Sequence, residues 1–151
     1  MTAPPLLEPL PLILTNASLV IDDTELACVA THVEISPDVS TTTVDTFCGS
    51  KDFPGTVKWS LVASLVQSFD AGATEDVLSA AYAAYLADGT LTTFRVCGYR
   101  DQPVSATNPE WTGEAIPQPY SPINGDAGDV STIDIEWSLS GEPVKNIVPG
   151  P

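Results

Sequence analysis

The sequence predicts a mainly β fold of the α+β class, an antiparallel β-sandwich or barrel with one flanking α-helix, a long loop and extended terminal arms. Apolar and polar residues alternate strictly from Ser131 to Leu139, which indicates a strand with one buried face. Thr56 to Phe69 is apolar on both faces, as is typical of a central strand. Helical spacing of apolar side chains is found only over residues 75–88, so the element order is strands, one helix, then strands.

An apolar arm is predicted over residues 1–14. Prolines interrupt this segment and favour extended, polyproline-like backbone over helix or central strand. The leucines expected to make its contacts are Leu6, Leu7 and Leu10. Because these side chains gain little in water, we expect the arm to lie against its own domain or a neighbouring subunit.

A single domain is predicted over residues 15–143, and it opens with a pair of strands. The first strand ends at Asp22-Asp23, a plausible tight turn, and the second ends at Ser36-Pro37-Asp38. Residues 37–55 are rich in Ser, Thr, Gly and Pro, which predicts a long loop. The alternative for Thr41 to Phe47 is one arm of a protruding hairpin, since threonine and valine favour strands. Its apolar groups lack a partner within one subunit, so we expect the loop to become ordered on assembly. The assembly residues predicted here are Val44, Phe47 and Phe53.

The second half of the chain contains the predicted helix and the later strands. Thr74 is the expected N-cap and Gly89 the expected C-terminal stop of the helix over residues 75–88. Its apolar stripe is expected to pack on the sheet; the stripe consists of Leu78, Ala81, Tyr82, Tyr85 and Leu86. Strands are predicted at 91–99 and at 131–139. Residues 101–129 are expected to be irregular except for a short strand around Trp111 to Ile116, and residues 144–151 are predicted to form a short C-terminal arm.

Composition excludes several classes of function. The chain has 20 acidic and 5 basic residues, a formal net charge of -15. Its scattered bases form no patch that would neutralise duplex phosphates or bind an anionic membrane surface. No apolar run approaches the roughly 20 residues of a membrane helix, and the N-terminus lacks a signal-peptide pattern. An odd number of widely spaced cysteines (Cys28, Cys48 and Cys97) favours free thiols and a cytosolic product.

Catalytic, metal and cofactor motifs are not found. His32, the single histidine, lies on the polar face of a predicted strand without a nucleophile at motif spacing. Residues 124–129 place three oxygen side chains close together, but the downstream glutamate of a calcium loop is missing, which favours a turn. We therefore expect no enzyme activity, no metal and no cofactor.

Two of the tryptophans are predicted to be core residues, and the third is a candidate contact residue. Trp59 and Trp137 share strand faces with aliphatic residues, so they are expected in the core. Trp111 lies between Pro109 and Gly113 in a segment expected to be irregular, where it would either anchor a partner or pin a loop. The three cysteines are expected to be small, buried or half-buried apolar residues.

A set of strand, loop and turn patterns covers most of the chain. It consists of Asn16 to Ser36, Thr46-Phe47-Cys48-Gly49, Phe53-Pro54-Gly55 before Trp59-Ser60-Leu61, Glu75 to Asp88, Tyr120 to Asp129, Ile133 to Trp137, and Gly141-Glu142-Pro143. In this order of features the chain resembles the major tail protein (tail tube protein) of long-tailed, non-contractile bacteriophages.

The resemblance implies a structural virion protein whose hexameric rings stack into a hollow tube. The long loop and the arms would bridge successive rings, and viral DNA would pass through an acidic lumen without specific binding. It also implies contact with a tape-measure protein and a tail terminator, with assembly in the host cytoplasm. Two alternatives stay open: a phage head decoration or other virion-surface β-protein, and a small ligand- or carbohydrate-binding β-sandwich that uses Trp111 and the acidic loops.

Overall fold

The computed structural model describes residues 3–5, 11–118 and 120–149, and these form two antiparallel sheets with one flanking helix. The strands are β1 (Ser18–Ile21), β2 (Thr24–Glu25), β3 (Ala30–Thr46), β4 (Gly49–Val66), β5 (Thr92–Cys97), β6 (Glu110–Ala115), β7 (Thr132–Ser138) and β8 (Val144–Asn146). The helix α1 spans Thr74–Asp88. The predicted sandwich with one flanking helix is confirmed, and the sheets do not close into a barrel.

The larger sheet has five strands in the order β2-β1-β5-β6-β8. Its first hairpin turns at Asp22 and Asp23, which have φ of 50° and 65°. Two consecutive residues with positive φ form the mirror-image turn that matches strand twist, and aspartate tolerates this conformation. The tight turn predicted at this dipeptide is confirmed.

The smaller sheet has three strands in the order β3-β4-β7, with β4 in the centre. Leu61 is paired with Trp137, Ala63 with Ile135 and Leu65 with Ile133. All six side chains are buried, as predicted for β7 and for the inner part of β4. Val57, expected on the same face of β4, is 53% exposed because it lies beyond the end of the pairing with β7.

The core lies between the two sheets, and α1 covers one side of it. Leu19, Ile21 and Phe94 enter it from the larger sheet, and Val77 and Leu78 enter it from the helix. Leu86, which the predicted stripe included, is 60% exposed, so only the first half of the helix packs on the core.

The C-terminal end of α1 lies where it was predicted, and the N-terminal cap does not. Gly89 adopts φ 76° and its N–H donates to the Tyr85 carbonyl at 2.8 Å, so the predicted C-terminal stop is confirmed. The predicted N-cap is wrong, because the cap is Ala73 and Thr74 is the first helical residue. The buried Thr74 hydroxyl instead donates to the Val66 carbonyl at 2.8 Å and attaches the helix to the end of β4.

Side chains hold two of the long connections. Asn108, buried, donates to the Tyr99 carbonyl at 2.8 Å and accepts from the Tyr99 N–H at 3.1 Å, closing the loop after β5. Tyr120 donates to Glu75 of α1, and its ring lies 5.7 Å from that of Tyr82. Burial, followed by the bond to Glu75, raises the pKa of Tyr120.

The segment predicted as a long loop, residues 37–55, forms most of a β-hairpin. The prediction that Ser36-Pro37-Asp38 ends the strand is wrong, since β3 continues to Thr46 and Pro37 is paired with Trp59. Proline is tolerated here because β3 is an edge strand. Threonine and valine farther along both favour extended backbone.

The C-terminal segment also differs from its prediction. Residues 144–146 of the predicted arm form β8, which pairs with β6 and completes the larger sheet. The short strand predicted around 111–116 is confirmed as β6, in which Trp111 lies opposite Val96. Within the described ranges, no helix combines the length and the apolar character needed to cross a lipid bilayer.

Candidate functional site

The most prominent surface feature is the outer part of the β3–β4 hairpin, residues 38–58, which we call the ribbon. The third strand, β7, pairs with β4 only from Ser60 to Val66. Beyond that point β3 and β4 pair with each other alone, out to Thr46 and Gly49. The ribbon is therefore two-stranded and extends about 30 Å from the body, at roughly 3.3 Å per residue.

The ribbon exposes apolar side chains along its whole length. Every residue from 38 to 58 is exposed, and Phe47 at the turn is fully so. The large apolar residues are Val39, Val44, Phe47, Phe53 and Val57. The structure thus places the predicted assembly residues Val44, Phe47 and Phe53 on one projecting element. The other three, Leu6, Leu7 and Leu10, lie outside the described residues.

Polar cross-strand bonds give the ribbon its shape. The Thr43 hydroxyl donates to Asp52 Oδ1 at 2.6 Å, and the Ser50 hydroxyl donates to Asp45 Oδ1 at 2.5 Å. The ladder shifts register between Val39 and Thr41, as in a β-bulge, which increases local twist. The shift lies opposite Gly55, where an added Cβ would come within 2.8 Å of the Ser40 carbonyl oxygen.

At its tip the ribbon turns through only two residues, Phe47 and Cys48. The Thr46 hydroxyl accepts from the Cys48 N–H at 3.2 Å and donates to the Gly49 carbonyl at 2.8 Å. Gly49 has φ 120°, a conformation that favours glycine. The turn therefore has a defined shape, and it holds the phenyl ring of Phe47 away from the rest of the chain. We call residues 46–49 the tip.

A second feature, which we call the groove, opens between the two sheets at the base of the ribbon. Its volume is about 400 Å³ and its lining is mostly apolar. Pro37 and Trp59 line it from the smaller sheet, and Val96 and Trp111 line it from the larger one. Leu12 adds a wall from the N-terminal segment. Trp59, predicted to be a core residue, is only half-buried because the sandwich opens at this end.

A positive charge flanks the groove. Lys145 of β8 places its Nζ 5.9 Å from the centre of the Trp111 ring, which is within cation–π range. Glu34 of β3 also borders the groove, but its side chain points to the outer face of the smaller sheet. The groove therefore combines two aromatic rings and aliphatic walls with one positive charge at its edge.

A smaller cleft of about 280 Å³ lies beside Cys28, His32 and Arg100. His32 Nε2 is 3.6 Å from Glu34 Oε2, and both side chains are more than half exposed. In the part of the chain that the structure covers, no three His, Cys, Asp or Glu residues come together as metal ligands would. The cleft therefore contains an exposed thiol and an exposed imidazole but, among the described residues, no set of metal ligands.

The cysteines differ from their prediction as small apolar residues. Cys28 and Cys48 are exposed, and only Cys97 is buried. Burial and then the nearby charge of Glu110 raise the pKa of the Cys97 thiol. The exposed Cys48 lies next to Phe47, at the tip.

Acidic residues cover the outer face of the smaller sheet. In the ladder, Glu34 and Glu136 flank Val62 on opposite sides, and Asp134 accepts from the Ser64 hydroxyl at 2.6 Å. All three carboxylates are exposed. This face therefore presents negative charge along three paired strands.

Comparison with known proteins does not assign the chain to a family. No protein-family model matches it, and no curated protein matches its sequence. The features that bear on function are therefore the ribbon, the groove and the distribution of charge.

Proposed function

We propose that this chain is a structural virion protein, the major tail (tube) subunit of a long-tailed, non-contractile bacteriophage. Its hexameric rings stack into a tube with an acidic lumen through which viral DNA passes. The observation that carries the proposal is the ribbon, an element of about 30 Å that exposes Val44, Phe47 and Phe53. The order of sequence features from Asn16 to Pro143 adds the family resemblance.

The ribbon is better suited to contact with another subunit than to a role within its own domain. A two-stranded hairpin alone is marginally stable in water, and exposed apolar side chains do not improve its stability. Contact with the next ring would bury those side chains and pair or cover the strand edges. A ribbon of this length therefore supports subunit assembly as the main function.

The charge supports passage of DNA without binding. A net charge of -15 repels phosphates, and the outer face of the smaller sheet presents the exposed carboxylates of Glu34, Asp134 and Glu136. A lumen lined by such a face would let a duplex slide, since it offers few basic side chains that could bind the phosphates. The same charge keeps free subunits apart until salt or a partner reduces the repulsion.

The proposal also defines partners and location. The main partner is a second copy of the chain, within and between rings. A tape-measure protein inside the growing tube and a terminator at its end complete the assembly. The subunit resides in the host cytoplasm before assembly and in the virion tail afterwards, and it has no catalytic role.

Electron microscopy and sedimentation across a salt series test the proposal. We expect the wild-type chain to form rings or tubes at high concentration and raised salt. A variant with Val44, Phe47 and Phe53 all changed to Ser should remain a folded monomer. Phe69→Ser is the matched control, because Phe69 is 66% exposed but lies outside the ribbon. A wild-type chain that stays monomeric under all conditions would contradict the proposal, and so would normal assembly of the triple variant.

A ligand-binding β-sandwich module is the second candidate, and the groove is the observation that favours it. Trp59 and Trp111 at a cavity of about 400 Å³ are the kind of platform on which a sugar or another flat ligand stacks. This candidate predicts a monomer that binds saccharides, with binding lost in Trp111→Ala and no effect of the triple ribbon variant. Calorimetry with a saccharide panel separates it from the tube proposal.

A further inference from the structure

We infer that the groove of one subunit is the docking site for the tip of the ribbon of a second copy, with Phe47 inserted beside Trp59 and Trp111. The inference rests on the proposed function and names the two surfaces that meet. The groove of one subunit forms one half of the interface, and the tip of the other subunit forms the second half.

The geometry requires two copies. Pro37 and Trp59 line the groove and are also the residue pair from which the ribbon extends. The ribbon then runs outward for about 30 Å, so the tip cannot return to the groove at its own base. A contact between tip and groove therefore joins different surfaces of two subunits. Such a head-to-tail contact repeats indefinitely or closes into a ring, which is the type of interface that a stacked assembly needs.

The two surfaces are complementary in chemistry. Phe47 is fully exposed at a turn that hydrogen bonds hold in shape. The groove provides aliphatic walls and two tryptophan rings in a volume of about 400 Å³. Aromatic pairs favour edge-to-face or offset contacts, and a buried aromatic anchor in a pocket is the usual energetic centre of an interface.

Charges around the two surfaces also match. Asp45 is exposed close to the tip, while Lys145 lies beside the groove. Lys145 is one of only 5 basic residues in a chain with 20 acidic ones. Its position over Trp111 allows it to pair with Asp45 of an incoming tip, which offsets part of the repulsion between two acidic subunits.

Cross-linking through the native Cys48 tests the contact directly. The background variant is Cys28→Ser, which removes the other exposed thiol. Lys145→Cys places a thiol beside the groove, and Glu114→Cys is the matched control on the same sheet, since both native residues are exposed and charged. Diamide oxidises the two thiols to a disulfide and takes up the two protons and two electrons. Non-reducing gels then report covalent dimers and longer ladders.

We expect ladders with Lys145→Cys, none with Glu114→Cys, and loss of the ladder when Cys48→Ser is added. Tubes that form without a preference for position 145 would overturn the inference while the tube proposal stands. Ladders at position 145 without rings or tubes would support the docking and refute the tube. A monomer that gives no ladder at either position would refute both.

The energetic test is Phe47→Ala. Loss of an interface anchor of this kind should raise the protein concentration needed for assembly by about 30-fold. Phe47→Leu should recover part of the effect, and Phe69→Ala should have none. Because Phe47 is exposed in the single subunit, the substitution does not remove core packing. An unchanged assembly concentration for Phe47→Ala would also overturn the inference.

Discussion

Replacement of residues 40–56 by Asn-Gly removes the ribbon at a defined point. Val39 and Val57 are directly opposite each other in the ladder, so a two-residue turn can join them without changing the register below. The rest of the smaller sheet, including the pairing of β4 with β7, remains intact. We expect this variant to fold, to stay monomeric, and to lose little stability.

The expected change follows from burial. No residue of the deleted segment is buried, so the deletion removes no side chain from the core and leaves the packing between the two sheets unchanged. The ribbon therefore contributes little net stability, and we expect the free energy of unfolding to change by no more than about 1 kcal/mol. In contrast, Leu61→Ala in the same strand should cost about 2–5 kcal/mol, because Leu61 is fully buried.

Urea unfolding of the dilute monomers measures both variants against the wild type. The ribbon deletion should keep the midpoint nearly unchanged, with a slightly smaller m-value because less surface becomes exposed. Leu61→Ala should lower the midpoint clearly. A loss of more than about 3 kcal/mol on ribbon deletion would refute the reasoning, since it would mean that the ribbon packs on its own domain.

Three further predictions concern the body of the domain. Burial and the bond to Glu75 raise the pKa of Tyr120, so the unfolded chain releases the phenol proton at a lower pH than the folded chain does. The free energy of unfolding should therefore fall as the pH rises above about 10. Thermal melts across this pH range should show a smaller fall for Tyr120→Phe. In the native protein a maleimide should label the two exposed cysteines and spare Cys97, which should react only in urea, as mass spectrometry will show. Asn108→Ala should lower the free energy of unfolding by about 2 kcal/mol, measured by urea titration, because the N–H and the carbonyl of Tyr99 both lose the partner that the buried Asn108 side chain provides.

The fold could be predicted where the pattern is local. Alternation identified β7, apolar residues on both faces identified β4, and glycine after an apolar stripe identified the end of α1. Each of these signals is contained in a single element, so it can be recognised without knowing which other elements pack against it.

The ribbon and the groove were harder to predict, for different reasons. Pro37 and Gly55 are residues that typically interrupt strands. Pro37 lies in an edge strand, where proline is compatible with the hydrogen-bond ladder. Gly55 lies beside a shift in register, where glycine is compatible with it. The groove is formed by residues from Leu12 to Trp111, which no periodicity connects. Asn108 was missed because a single polar residue in a loop carries no signal of burial.

The pairing of β4 with β7 has a consequence for the order of folding. The hairpin of β3 and β4 closes through a two-residue turn, and such local structures form within about 1–10 μs. β7 reaches β4 only after α1 and the strands between Val66 and Thr132 have been synthesised, so the body closes late through long-range contacts. Val96 and Trp111 of the groove also belong to this later part. A chain leaving the ribosome therefore forms its tip before its groove. At that stage it can present its own tip to another subunit, but it has no groove in which to bind the tip of that subunit.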